Sequence, residues 1–189
     1  MILSDRMIKE AINRREIVIE PFDLKSLGTN SYDVHLGNIL MVYERPSDQW
    51  FRQIPLDCKV ESPIQLITIP MMEGFVLRPG KLYLASTVEY TETWKHVPFL
   101  DGKSSVGRLG IFIHCTAGRG DVGFCNHWTM EIVVVEPVRV YAGMPIGQLI
   151  FFETGEVDTD YQDKKSAKYN DRSSHPQPSR MWKNFKAES

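Results

Sequence analysis

After residue 15 the chain breaks into short apolar segments separated by turn residues, and this pattern constrains the fold more than any other feature. Segments of strand character fall at 17–19, 32–36, 39–43, 66–69, 82–86, 111–115, 128–135, 138–141 and 146–152. Turn formers divide many of them: Arg78-Pro79-Gly80, Asp101-Gly102, Gly118 to Gly123, and Ala142-Gly143. Many short strands with frequent turns predict a β-sandwich or barrel. No βαβ alternation is present, which argues against a doubly wound nucleotide-binding sheet. Only the start reads as helix, with Ser4 as N-cap and Met7, Ile8, Ala11 and Ile12 on one face.

The 189 residues suit one domain with a tail. Hydrophobic residues make up 42% and charged residues 24%, which excludes disorder over most of the length. No apolar run approaches the ~20 residues of a membrane-spanning helix. Charges interrupt the first apolar stretch, which argues against a secretory signal. The net charge of −2 argues against duplex nucleic acid as the main partner. Three cysteines, Cys58, Cys115 and Cys125, form no Cys-x-x-Cys, and a reducing cytoplasmic compartment is the simplest expectation.

Charge is unevenly spread. From Tyr161 to Lys186 there are seven basic and two acidic residues, so this segment is +5 and the remainder −7. It reads either as a solvated chain end or as a cationic flap that closes on an anionic ligand. Tyr161, Tyr169, Trp182 and Phe185 lie among the charges, so part of it is expected to pack.

Three stretches carry candidate chemistry. Asp101-Gly102-Lys103-Ser104-Ser105-Val106-Gly107-Arg108 combines glycines, hydroxyls and cations, as a polyphosphate site requires, though an ordinary charged turn has the same composition. It is not a Walker A loop, whose opening glycine would fall at Val97. Thr116 to Phe124 contains three glycines between apolar segments and reads as a plain turn or as backbone brought close to a ligand. In the latter case Asp121 would bind a sugar hydroxyl and the nearby aromatic would cover the sugar face. Alternation along 128–135 places Thr129, Glu131, Val133 and Val135 on one face and Trp128, Met130, Ile132 and Val134 on the other. Both faces are largely apolar, so Glu131 is expected to be buried, either as half of an ion pair or as a carboxylate of raised pKa suited to proton transfer. His114, Cys115, Cys125 and His127 have zinc-ligand chemistry but lack the His-x-Glu and Pro-Cys-x-x-Cys of zinc nucleobase deaminases.

Taken in order, these residues are similar to the dCTP deaminase family, a branch of the dUTPase superfamily. The resemblance rests on Ser31-Tyr32-Asp33-Val34-x-Leu36-Gly37, Ser104-Ser105-Val106-Gly107-Arg108-Leu109-Gly110 and His114-x-Thr116-Ala117. It continues through Asp121-x-Gly123-Phe124, Glu131, Gly143-Met144-x-Ile146-Gly147-Gln148-Leu149, Tyr161 and Lys168-Tyr169, and so spans nearly the whole chain. It implies a mainly β fold, a distorted jelly-roll-like barrel at 1–155, with a short N-terminal helix. It also implies a flexible tail at 156–189 that closes over the nucleotide. The implied assembly is a homotrimer with active sites between subunits. The implied reaction is that of a hydrolase acting on C–N bonds of cyclic amidines: dCTP and water give dUTP and ammonia. Mg²⁺ travels with the triphosphate, no catalytic zinc takes part, and dTTP is an expected inhibitor.

The resemblance assigns Glu131 as acid/base, with Ser104 and Arg108 as its catalytic partners. Ala117 would hold the water through its backbone, Asp121 would bind the 3′-hydroxyl, and Phe124 would leave no room for a 2′-hydroxyl. Lys103, Ser104, Ser105, Tyr161 and Lys168 would hold the triphosphate, and Arg119, Thr129, Met130 and Arg172 complete the expected substrate-binding set. Arg172 stands where many relatives carry glutamine. Gly118 resembles members that go on to dUMP, whereas Arg119 resembles deaminase-only members. A bifunctional enzyme forming dUMP and a plain dUTPase are therefore the alternatives. A dUTPase would be expected to carry a glycine-rich tail motif, and this chain has no glycine after Gly155.

Overall fold

The structure is a computed structural model that describes residues 1–44, 47–48, 52–53 and 55–186. Ser4 Oγ accepts from Met7 N–H at 3.4 Å and caps α1 (Asp5–Asn13), with Asp5 in the first turn where the helix dipole favours it. Ile8 and Ala11 are buried, and Met7 and Ile12 pack against the same core. The predicted apolar face is thus the one the helix uses. Arg15, at φ 57°, turns the chain out of the helix.

The strands are β1 (Ile17–Glu20), β2 (Tyr32–Tyr43), β3 (Ser47–Asp48), β4 (Arg52–Gln53), β5 (Ile64–Thr68), β6 (Phe75–Leu77), β7 (Tyr83–Thr93) and β8 (His96–Gly102). A one-turn helix α2 (Ser104–Gly107) follows, then β9 (Ile111–Phe112), β10 (Phe124–Val134), β11 (Val138–Val140) and β12 (Pro145–Glu153). The main sheet runs β8-β12-β2-β7-β10-β9, with β1 added to β7 and β5 to β2. β2 pairs first with β12 and then with β5, while β7 lies along its other side from Leu36 onward. That exchange of partners curls the sheet into a nearly closed barrel, as the sequence predicted. Tyr32, Leu36, Leu40, Met130, Ile132, Leu149 and Phe151 fill it, each at most 1% exposed. Burying each such side chain contributes about 1.5–3 kcal/mol.

Several elements depart from the sequence expectation, among them the unexpected β3, β4 and β6 and the start of β10 at Phe124 rather than 128, and four departures have a local reason. Segments 32–36 and 39–43 are one strand, with a pairing shift between Leu36 and Leu40 where Gly37-Asn38 interrupts the pattern. β7 runs seven residues beyond the predicted end at 86, because its later inward positions are Thr87, Glu89, Thr91 and Thr93, polar yet buried. β8 was not predicted. Pro98 breaks its pattern, and the strand tolerates a proline because it lies at the end of the strand order. β9 stops at Phe112 rather than 115, and Ile113 to Cys115 leave the sheet.

The last strand ends at Glu153, and the chain beyond it returns across the barrel, with a short 3₁₀ turn at Met181–Phe185. Residues 187–189 of the expected tail lie outside the described residues. Among the described residues, no helix is long and apolar enough to cross a membrane, and Cys58, Cys115 and Cys125 are unpaired.

Candidate active site

β10 decides where the chemistry lies. Its alternation turns Trp128, Met130, Ile132 and Val134 inward and leaves Thr129, Glu131 and Val133 half-buried on the other face. That second face is less buried than the sequence predicted, because it forms one wall of a cavity of about 530 Å³. Glu131 lines this cavity beside Thr129 and Leu84. Ala117, Arg119 and Asp121 border it from the turn before β10, Phe124 and Trp128 add an aromatic wall, and Tyr161, Tyr169 and Gln177 close it from the tail.

Cys115 N–H donates to Glu131 Oε2 at 3.2 Å. Burial pushes the Glu131 carboxyl above its ordinary pKa, and the Cys115 amide and nearby His114 only partly oppose this. Among the described residues no cation pairs with Glu131, so of the two readings of this side chain the ion pair is not the one observed. A half-buried carboxyl with free lone pairs facing a cavity is equipped to accept and return a proton.

The turn before β10 is held by its glycines. A Cβ on Gly118 would stand 2.5 Å from Leu100 O, and Gly118 O accepts from Leu100 N–H at 2.6 Å. The turn therefore lies flat on the outer edge of β8, with a bridge between Phe99 and Arg119. Gly123 sits at φ +83°, where a Cβ would meet Asp160 Cβ at 2.7 Å and Tyr161 N at 2.8 Å. The tail begins on that contact, and Tyr161 N–H donates to Val122 O at 2.8 Å. Phe124 stacks at a tilt on Trp128 (4.9 Å) and edge-on to Tyr161 (5.9 Å).

Beyond Arg119, Gly120, Asp121 and Tyr161 lies a second cavity of about 620 Å³, bordered by Lys164 and Lys165. Lys164 Nζ is 3.8 Å from Asp121 Oδ2. The basic segment thus lies beside the acidic sugar-site candidate.

Other expected residues lie elsewhere. α2 is anchored by buried Val106, while Ser104, Ser105 and Arg108 are exposed and border neither cavity. Lys103 Nζ pairs with Asp33 Oδ2 at 2.5 Å. Gln148 Nε2 donates to Gly102 O at 3.1 Å and its Oε1 accepts from Ser31 Oγ at 3.0 Å, so three of the sequence motifs converge behind α2. Met130 is fully buried in the core, which leaves only its backbone for a ligand. Thr129 Oγ1 accepts from Gln177 N–H at 3.1 Å. Tyr161 Oη accepts from the backbone N–H of Lys168 (3.2 Å) and of Tyr169 (3.1 Å). Arg172 borders neither cavity: its guanidinium lies 3.8 Å from Glu92 and over the Tyr90 ring.

Tyr43 and Gln177 border the Glu131 cavity without having been singled out in the sequence, and Tyr169, expected only to pack within the tail and to belong to the Lys168-Tyr169 motif, joins them there. The aromatic content of the tail was the only available signal. Tyr43 Oη accepts from Ser179 N–H at 2.8 Å, a long-range contact that no local pattern announces. No group of three or more His, Cys, Asp or Glu is gathered for a metal ion among the described residues.

Comparisons with known proteins bear on the family and the fold. Residues 2–154 match the family model described as dCTP deaminase-like. A relative from Clostridium acetobutylicum named "dCTP deaminase, dUMP-forming" is 46% identical over 98% of this chain and 99% of its own. One of the same name from Cytophaga hutchinsonii is also 46% identical, with the same coverage. Among solved structures, the 2′-deoxycytidine 5′-triphosphate deaminase from Agrobacterium tumefaciens superposes with a TM-score of 0.60 at 19% identity, over 81% of this chain and 48% of that one, a likeness of fold. With a family model matching most of its length and relatives aligned end to end, this chain belongs to the dCTP deaminase-like family.

Proposed function

We propose that this protein deaminates dCTP and carries the product on to dUMP. Overall, dCTP and water give dUTP and ammonia, and dUTP and a second water give dUMP and pyrophosphate. The first expectation from sequence, dUTP as end product, gives way to its alternative because close full-length relatives are named dUMP-forming. Gly118, the position resembling bifunctional members, also has no room for a side chain.

The observation that carries the deamination step is Glu131, half-buried in a cavity with a raised pKa and no pairing cation among the described residues. Its carboxylate takes a proton from water as the oxygen adds to C4 of cytosine and delivers it to N3. It then moves the hydroxyl proton of the adduct to the amino group, ammonia leaves, and the C4 carbonyl forms. The Ala117 backbone holds the water, and Arg108 and Ser104 stabilise charge at the ring. Asp121 takes the 3′-hydroxyl, and Phe124, fixed between Trp128 and Tyr161, packs on the deoxyribose. Lys103, Ser105, Tyr161 and Lys168 take the triphosphate, which arrives as its Mg²⁺ complex. dTTP offers the same sugar and triphosphate and competes for the site. No step uses zinc.

The exposure of Ser104 and Arg108, away from the Glu131 cavity of their own chain, supports a homotrimer whose sites are completed by a neighbour. Leu109, Phe112 and Val135, each more than half exposed near α2, give that contact an apolar surface. A cytoplasmic location suits the unpaired cysteines.

The test is incubation with dCTP and Mg²⁺, with ammonium, pyrophosphate and nucleotide masses followed together. Equal ammonium, pyrophosphate and dUMP are expected. Accumulated dUTP without pyrophosphate would make the enzyme a deaminase only.

A further inference from the structure

The tail's cations are not equivalent. Arg172 lies against Glu92, Lys164 against Asp121, and Lys186 over the Trp182 ring. Arg180 turns inward, with a side chain only 22% exposed. One guanidinium nitrogen donates to the Lys168 carbonyl and another pairs with Asp171. Its backbone N–H donates to Tyr169 Oη at 3.0 Å, and the guanidinium lies over the Tyr169 ring, 5.4 Å from the centroid. The second oxygen of Asp171 accepts from Gln177 Nε2 at 2.6 Å.

Segment 168–180 is thus tied end to end through one planar fork. It is also pinned to β10 at two points. Asn126 Nδ2 donates to Tyr169 O at 2.9 Å, and Gln177 N–H donates to Thr129 Oγ1 at 3.1 Å. Both anchors fall at residues that border the Glu131 cavity.

We propose that Arg180 is a positioning residue, the clasp that preforms segment 168–180 as a lid over the Glu131 cavity. Its effect on turnover rests on the function proposed above, whereas its effect on the tail does not. Without the clasp, binding must order the whole segment, and that cost appears as lost affinity rather than slower chemistry. Arginine is required because lysine, a point charge, does not reproduce a fork that spans a carboxylate and a carbonyl.

The experiment compares hydrogen exchange of the ligand-free full chain with steady-state kinetics for Arg180→Ala, Arg180→Lys, Asp171→Asn and the double variant Arg180→Ala/Asp171→Asn. Arg180→Ala is expected to speed exchange across 168–180 while β10 keeps its protection, and to raise KM for dCTP by about tenfold with kcat changed less than about threefold. Asp171→Asn should reproduce much of both effects, the double variant should add little, and Arg180→Lys should fall between. Unchanged exchange in Arg180→Ala and Asp171→Asn, strictly additive effects, or a fall in kcat at constant KM would overturn the proposal. A wild type that releases no ammonium from dCTP would refute the proposed function, and the exchange data would still decide the clasp.

Discussion

Glu89 on β7 and Glu131 on β10 are both carboxylates on long strands of the barrel, and their surroundings could hardly differ more. Glu89 is 2% exposed and fully engaged: Oε2 accepts from His35 N–H at 2.8 Å and Oε1 meets His35 Nδ1 at 2.5 Å. Glu131 is less buried, accepts one longer hydrogen bond from Cys115, and faces a cavity. A buried carboxylate with its oxygens engaged holds strands together. One with unspent lone pairs is available to a ligand and is held at some cost to stability.

Substitution separates the two. Glu131→Gln should lower kcat by ~10²–10⁴, the usual worth of a general acid/base, while dCTP still binds in calorimetry. Glu89→Ala should instead cost about 2–4 kcal/mol in urea unfolding, because it strands the His35 amide and ring, and should leave turnover per folded molecule near normal. A large catalytic loss in Glu89→Ala at full stability would erase the distinction.

A smaller effect tests where the partners of Glu131 come from. Mixed trimers of Ser104→Ala and Glu131→Ala chains should regain roughly a quarter of wild-type activity if each site draws on two chains that assort independently. No recovery in verified mixed trimers would put Ser104 and Glu131 in one chain.

The smallest effects concern pH. The folded pKa of Glu131 lies above its unfolded value, so its ionisation favours the unfolded state. That penalty is absent below the unfolded pKa and complete once pH passes the folded one. Glu131→Gln should therefore be slightly more stable than wild type at neutral pH, by far less than Glu89→Ala loses, with the gain vanishing in acid. For the same reason the acid limb of the kcat profile should lie above the ordinary carboxylate range. A limb at the ordinary position would separate Glu131 from the rate.

The same contrast explains how much the sequence disclosed. The period-two pattern of β10 is visible because Trp128, Met130, Ile132 and Val134 are apolar and inward, and Glu131 stands out against it. The second half of β7 obeys the same geometry with Thr87, Glu89, Thr91 and Thr93, whose burial depends on partners distant in sequence. Trp128 N–H and Nε1–H, for example, donate to Thr87 and Thr91 hydroxyls. Polar residues inside look like polar residues outside until those partners are known. At the site, the spacing of Ala117, Asp121, Phe124 and Glu131 was legible because one turn and one strand carry them all. Tyr43 and Gln177 were not, because β2 and the tail meet there only in three dimensions. Arg172 entered the expected substrate-binding set by resemblance, and its neighbour here, Glu92 at 3.8 Å, is distant in sequence and left no local signal.

The most direct measurement is ammonium release from dCTP by enzyme stripped of transition metals and supplied with Mg²⁺, run beside Glu131→Gln. Steady ammonium production by the stripped wild type, matched by pyrophosphate and nearly abolished in the variant, is the result expected. Ammonium that appears only when zinc is restored, or that persists in Glu131→Gln, would contradict a carboxylate acting as the proton carrier.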